Sequence, residues 1–366
     1  MCIFADIKSI GDYVREILKV SEKNEIKKEQ DNFLQYIHTF RGLAILLIVG
    51  SHIFYGWRDE NMTISIINTT VRGTTILFLF ISGYLFQHLS YKFKPSRYFS
   101  NKLKYVILPY ILISIPIIFA KLYDPPSYAL SHFDNPVLSL LYQSIHFLIT
   151  GEHLLPFWFI PMIVLFYLMA PLLYYLDKKA YIYYLLPVFV VISLMVPRTE
   201  LNDIPRLFVH FFSVYLFGMF MSHYKIRILE FSNQYWKILA IATLIVSVVV
   251  LFLPYDSYPH LSAMYIQKMM LCWFFIYFLQ KYAHKLPRKF DLLAEFSFGI
   301  YFLHYFFALA YRKGLEKVFD LSFSASPFLW LMVWIVGLLV VTLGSMLLIA
   351  ISRKIFGDRS RLLIGS

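Results

Sequence analysis

Residues 36–57 read YIHTFRGLAILLIVGSHIFYGW, an apolar run that carries two side chains foreign to hydrocarbon, Arg41 and His52. A run of about 20 apolar residues, rising about 1.5 Å each, is the length that crosses a bilayer as one α-helix. A guanidinium and an imidazole at that depth are costly, so such groups usually face the protein interior and serve function. At about 100° per residue, eleven steps return His52 to within about 20° of Arg41's face, roughly 16 Å along the axis. One helix face therefore carries a permanent cation near its start and a titratable base three turns on.

The rest of the chain is built in the same way. Of 366 residues, 59% are hydrophobic and only 15% charged, well outside the composition of a soluble domain. Apolar runs of spanning length fall at about 36–57, 70–90, 104–121, 158–175, 181–196, 205–222, 235–254, 261–281, 293–312 and 326–352. The fold class is thus all-α, a polytopic membrane protein of about ten transmembrane helices. The two cysteines, Cys2 and Cys272, form neither a disulfide framework nor a metal spacing, and the histidines show none either.

The net charge of +12 is topological. Of the 34 Arg and Lys residues, 24 fall in the N-terminal arm, alternate loops and the tail, which by the positive-inside bias places both termini in the cytoplasm. Nucleic acid is thereby disfavoured as a partner, and membrane lipids are the surroundings. Three parts follow: a cytoplasmic arm over 1–35, a transmembrane domain over 36–352 and a basic cytoplasmic tail over 353–366. Ile3, Phe4, Ile7, Ile10, Val14, Ile17 and Leu18 recur at helical spacing among lysines and Arg15, as in a helix lying on the membrane surface. The longest opposite loop, 122–157, turns at Asp124-Pro125-Pro126, and its apolar 136–151 part reads as an interfacial or re-entrant helix.

Several side chains in this frame can do chemistry. A neutral His52 near the outer end of its span can take a proton from a hydroxyl and return it to a leaving group; otherwise it is a hydrogen bond between helices. Arg41 suits phosphate or carboxylate, or else snorkels to headgroups. Because a cation at a helix start opposes the dipole, an anion is expected beside it. Arg72 opens the second span from the outer side and either orients a substrate, pairs with Glu152 or snorkels. Glu152-His153 sets two titratable groups at the outer surface, while Trp158 and Tyr167 sit where interfacial anchors belong. Ser82-Gly83 marks a close helix contact. His304 is a second intramembrane histidine, either structural or substrate-lining. The chain has no Gly-x-Ser-x-Gly elbow, no phosphate-binding loop, no dinucleotide fingerprint and no His-x4-Asp pair.

The Arg41-x10-His52 spacing with Phe40-Arg41-Gly42-Leu43-Ala44-Ile45 resembles the membrane acyltransferase-3 family, bacterial enzymes that typically O-acetylate surface carbohydrates. Four further blocks match in order: Phe78–Leu85, Phe157–Pro161, Ser297–His304 and the tail Phe356–Gly365. The tail is similar to the subgroup containing enterobacterial common antigen O-acetyltransferases. The resemblance implies acyl-CoA, most simply acetyl-CoA, as a cytoplasmic donor engaged by Arg41, with His52 as the base and no permanently bound cofactor or metal. It implies substrate contacts for Arg72, Trp158, His304 and Glu152, a glycan or lipid-linked sugar as acceptor, and a bacterial inner-membrane location. Some relatives carry an added esterase-like periplasmic domain. This chain is expected to pass the acyl group on directly or through a separate partner, and oligomerisation stays open. Two other readings are a transporter or flippase of a glycan or lipid, and a membrane acyltransferase of lipids or proteins that uses His304.

Overall fold

The computed structural model describes residues 34–54, 62–123, 135–285, 289–318 and 326–365. The surface helix expected before residue 34 and the Asp124-Pro125-Pro126 turn lie outside them. Among the described residues there are helices and no strands. In chain order these are α1 (Gln35–Ile53), α2 (Met62–Val71), α3 (Thr75–His88), α4 (Pro95–Lys102), α5 (Leu108–Tyr123), α6 (Pro136–Thr150), α7 (Phe159–Lys179) and α8 (Leu186–Met195). They continue as α9 (Ile204–His223), α10 (Lys225–Phe252), α11 (Tyr258–Tyr282), α12 (Lys289–Val318), α13 (Pro327–Phe356) and a short α14 (Ser360–Ile364). Starts are marked in the sequence: Asn135, Asp203, Ser257 and Ser326 each accept a hydrogen bond from a first-turn N–H, and Pro136 and Pro327 need none.

Nine helices or helix pairs among the described residues are long and apolar enough to cross a membrane. Two of the expected spans are composite. The run expected over 70–90 is α2 and α3, broken where Gly73 adopts φ +73°. The run over 104–121 continues back through a π-turn, Leu103–Ile107, into α4. The tenth expected span, 181–196, is shorter than the others, a 3-10 turn followed by α8. It still joins opposite ends of the bundle. Asp177, before it, meets Gln87 and His223 at the finish of α3 and α9, whereas Arg198, after it, lies with His52 around one cavity.

The described residues begin and finish at one end of the bundle. Gln35 donates to Asp291 at the start of α12 (2.7 Å), and Gly365 packs against Phe298 and Phe302 of the same helix. This is the Arg41 end; the other is the His52 end. α1 runs through the centre, with Phe40, Ala44, Ile45 and Val49 fully buried, and Gly42 lets α12 approach so closely that a Cβ there would sit 3.2 Å from the Phe290 carbonyl. α3 and α9 touch backbone to backbone. A Cβ on Gly83 would lie 2.1 Å from the Tyr215 carbonyl, and one on Gly218 the same distance from that of Phe80. Lipid tails provide no hydrophobic drive between helices, so small residues that permit such contact hold the pair together. α10 instead exposes Ile238, Ile241, Leu244 and Ile245, an apolar face suited to lipid.

Candidate active site

His52 lies one residue before the end of α1. Its ring is 5.1 Å from that of His304 and 5.5 Å from that of Tyr305, both on α12. The helical advance from Arg41 places His52 at that height, and the Gly42 contact holds α12 alongside. His304 is fully buried, and its Nδ1 faces the carbonyl oxygens of Ile300 (3.0 Å) and Tyr301 (2.8 Å). Carbonyls only accept, so Nδ1 carries a proton, and in the neutral tautomer the lone pair lies on Nε2. That Nε2 is buried with no hydrogen-bond partner among the described residues.

Beside His52 opens a cavity of about 370 Å³ that brings together three of the expected residues. Its wall includes His52, Arg72, Trp158 and Tyr301, together with Arg198 and His210. A space of this size with mixed apolar and polar walls is typical of a small-ligand site. Trp158 is not an interfacial anchor. It is 5% exposed, stacks on Phe211 with centroids 5.8 Å apart and carries the Arg198 guanidinium 4.8 Å above its ring. It is drawn inward because Gly151, in the left-handed conformation at φ +75°, turns the chain after α6 so that 151–158 folds into the bundle. Tyr301 donates to the Pro156 carbonyl (2.6 Å) and closes that loop against α12. Tyr167, also read as an anchor, is buried beneath the Lys102 ammonium, 4.3 Å from its ring.

The pairing expected between Arg72 and Glu152 does not form. Arg72 Nη2 donates to Asp256 Oδ1 at 2.7 Å, and its guanidinium lies 4.4 Å from the Tyr255 ring. Glu152 instead meets His146 at 3.3 Å and is not in the cavity wall. Nor is His153 a surface group. It is 1% exposed, with Nε2 against the Ser114 hydroxyl (2.7 Å) and Nδ1 against the Phe147 carbonyl (2.9 Å). Burial, aided by the Lys121 charge, pushes its pKa down to about 4, so this imidazole is neutral at physiological pH.

Arg41 stands at the opposite end of α1. Its Nη2 donates to Ser297 Oγ (3.0 Å), whose hydroxyl donates in turn to the Ala294 carbonyl (2.8 Å). Among the described residues no carboxylate pairs with it directly, although Asp291 and Glu295 both lie near His38, one turn earlier. The charges that act on Arg41 are cations, Arg361 of α14 and Lys102 of α4. Lys102 packs on Tyr98 and Tyr167, and Arg361 on Tyr105, so aromatic faces rather than carboxylates hold both. Three cations gathered with no carboxylate paired to any of them among the described residues form a seat for a polyanion. The His52 cavity reaches Ile48 along α1, about 10 Å of helix short of Arg41.

Sequence reasoning missed Arg198, Asp256 and His210. Arg198 did carry a signal, since like Arg72 it is a cation on the side that the charge bias leaves poor in them.

A family profile described as an acyltransferase domain, Acyl_transf_3, matches residues 34–350, nearly the whole bundle. Neither the comparison with curated proteins nor that with solved structures returned a match.

Proposed function

The chain belongs to the acyltransferase-3 family of membrane proteins, and on that premise we propose that it is an O-acyltransferase moving an acyl group, most simply acetyl, from acyl-CoA to a hydroxyl of a surface or lipid-linked glycan. The observation that carries this reading is the division of labour along α1. A polybasic seat around Arg41 lies at one end, and a cavity walled by His52, Arg72 and Trp158 lies at the other. Phosphates of a nucleotide-bearing thioester suit the first, and a hydroxylated acceptor suits the second.

In the proposed reaction a neutral His52 nitrogen takes the proton of the acceptor hydroxyl. The oxygen attacks the thioester carbonyl, the C–S bond breaks, and the imidazolium returns its proton to the departing thiolate. Arg72 and Trp158 line the acceptor's side, and His304 holds its place against His52. Since the cavity stops at Ile48, the acyl arm must part the side chains between Ile48 and Arg41 to reach His52. The charge bias favours a cytoplasmic Arg41 end, the side where acyl-CoA resides, and the tail favours the enterobacterial common antigen subgroup of bacterial inner-membrane enzymes.

His304 Nε2, without a partner among the described residues, favours one second reading, in which His304 is the base. Mass spectrometry of surface glycans with and without the gene tests the function. One acyl mass lost on deletion supports it, and unchanged glycans with unchanged acyl-CoA consumption overturn it.

A further inference from the structure

The cavity at His52 adjoins a second one, of about 450 Å³, and the two share Asn68, Arg72, Tyr255, Asp256 and Met264. The Arg72–Asp256 pair thus stands on the boundary between them. Two polar atoms of the second wall lack partners among the described residues: Arg72 Nη1 and His260 Nδ1, each buried. His260 as a whole is 5% exposed, and its ring lies 5.5 Å from that of Tyr255. Buried polar atoms are seldom left unsatisfied, and a roomy cavity at those atoms points to a polar occupant.

The surrounding groups specify its chemistry. Arg72 Nη1 can only donate, the Asp256 carboxylate only accepts, and the His260 ring and the Asn68 amide do both. Ser65 and Thr69 add hydroxyls to the same wall. An occupant matched to alternating donors and acceptors carries hydroxyl groups on adjacent carbons, as a pyranose does. A plain anion would be repelled by Asp256, and an acyl chain would leave Arg72 Nη1 and His260 Nδ1 unpaired.

We propose that this second cavity is a saccharide subsite, holding the sugar next to the one that receives the acyl group, so that the acceptor is an oligosaccharide rather than a single sugar. The inference rests on the glycan-acceptor reading above. Asp256 and Arg72 grip the junction between the two sugars, and His260 and Asn68 bind the outer one.

The test uses the full-length protein in lipid nanodiscs with acetyl-CoA and two acceptors. These are the unacylated glycan extracted from cells lacking the gene, intact and after hydrolysis to monosaccharides. His260→Gln removes one partner, and Leu251→Trp fills the cavity from its apolar wall. Both variants are expected to raise KM for the intact glycan about tenfold, the effect of an unmade polar contact, with kcat retained. Transfer to the monosaccharides is expected to be unchanged, which also reports that the variants are folded. Equal effects on both acceptors, or no effect on either, would overturn the subsite while leaving the glycan reading intact. Wild-type protein that acylates neither acceptor would overturn both.

Discussion

The imidazoles of His52 and His304 lie with centroids 5.1 Å apart between α1 and α12, and only one of them lines the cavity. His304 is pinned by two carbonyls, and its ring fixes where the neighbouring His52 can stand. His304→Ala is therefore expected to lower kcat by about tenfold to a hundredfold, less than the loss of a general base at roughly 10²–10⁴-fold, with KM for acyl-CoA unchanged. The check is steady-state kinetics on both alanine variants. A larger defect in His304→Ala than in His52→Ala would transfer the base to His304.

Arg41, Lys102 and Arg361 are expected to act on donor binding rather than on chemistry. Arg41→Met loses a charge-assisted contact and should raise KM for acyl-CoA by about tenfold or more with a smaller change in kcat. Arg361→Ala should act in the same direction and more weakly, because Arg361 is exposed. Free CoA would inhibit the wild type in a salt-sensitive way.

Lys268 is fully buried, and its ammonium donates to the carbonyls of Thr69 and Thr70 at 2.9 Å each. Those carbonyls lie where α2 stops short of Gly73. The lysine therefore caps the break from which Arg72 projects. Lys268→Met should destabilise the protein by about 1–3 kcal/mol, the effect of unpaired buried carbonyls, and impair acceptor use through Arg72. Thermal unfolding in detergent measures the first effect, and KM for the acceptor the second.

His153 supplies a pH dependence. Its folded pKa of about 4 lies below the ordinary 6.5, so the unfolded chain binds the extra proton first. Its stabilising contribution is full above about pH 6.5 and is lost as the pH falls from there toward 4. The unfolding midpoint measured across this range should decline on acidification, and His153→Asn should flatten the decline.

The fold was legible because membrane helices announce themselves by length and apolarity. The apolar run at 181–196 was read as a span by the same means, but its helix proper is only Leu186–Met195, short of spanning length. The Arg41–His52 relation was legible because both residues ride on one helix of known pitch. Arg72's partner was not, since Asp256 is 184 residues away on a loop and local periodicity cannot join them. Trp158 and His153 were misjudged for a related reason. Depth was read from distance to a span's end, whereas Gly151 bends their segment inward. The role of Lys268 was not legible either, because the carbonyls it caps lie 198 and 199 residues away in the chain.

The most direct measurement places donor and acceptor on opposite sides of one membrane. Full-length protein is reconstituted in vesicles with radiolabelled acetyl-CoA facing the Arg41 end and unacylated glycan facing the His52 end. Label should appear on the glycan with this arrangement and not with the reverse. His52→Ala, folded and still binding acetyl-CoA, should reduce transfer by roughly 10²–10⁴-fold. Undiminished transfer by His52→Ala would contradict the assignment of His52 as the base.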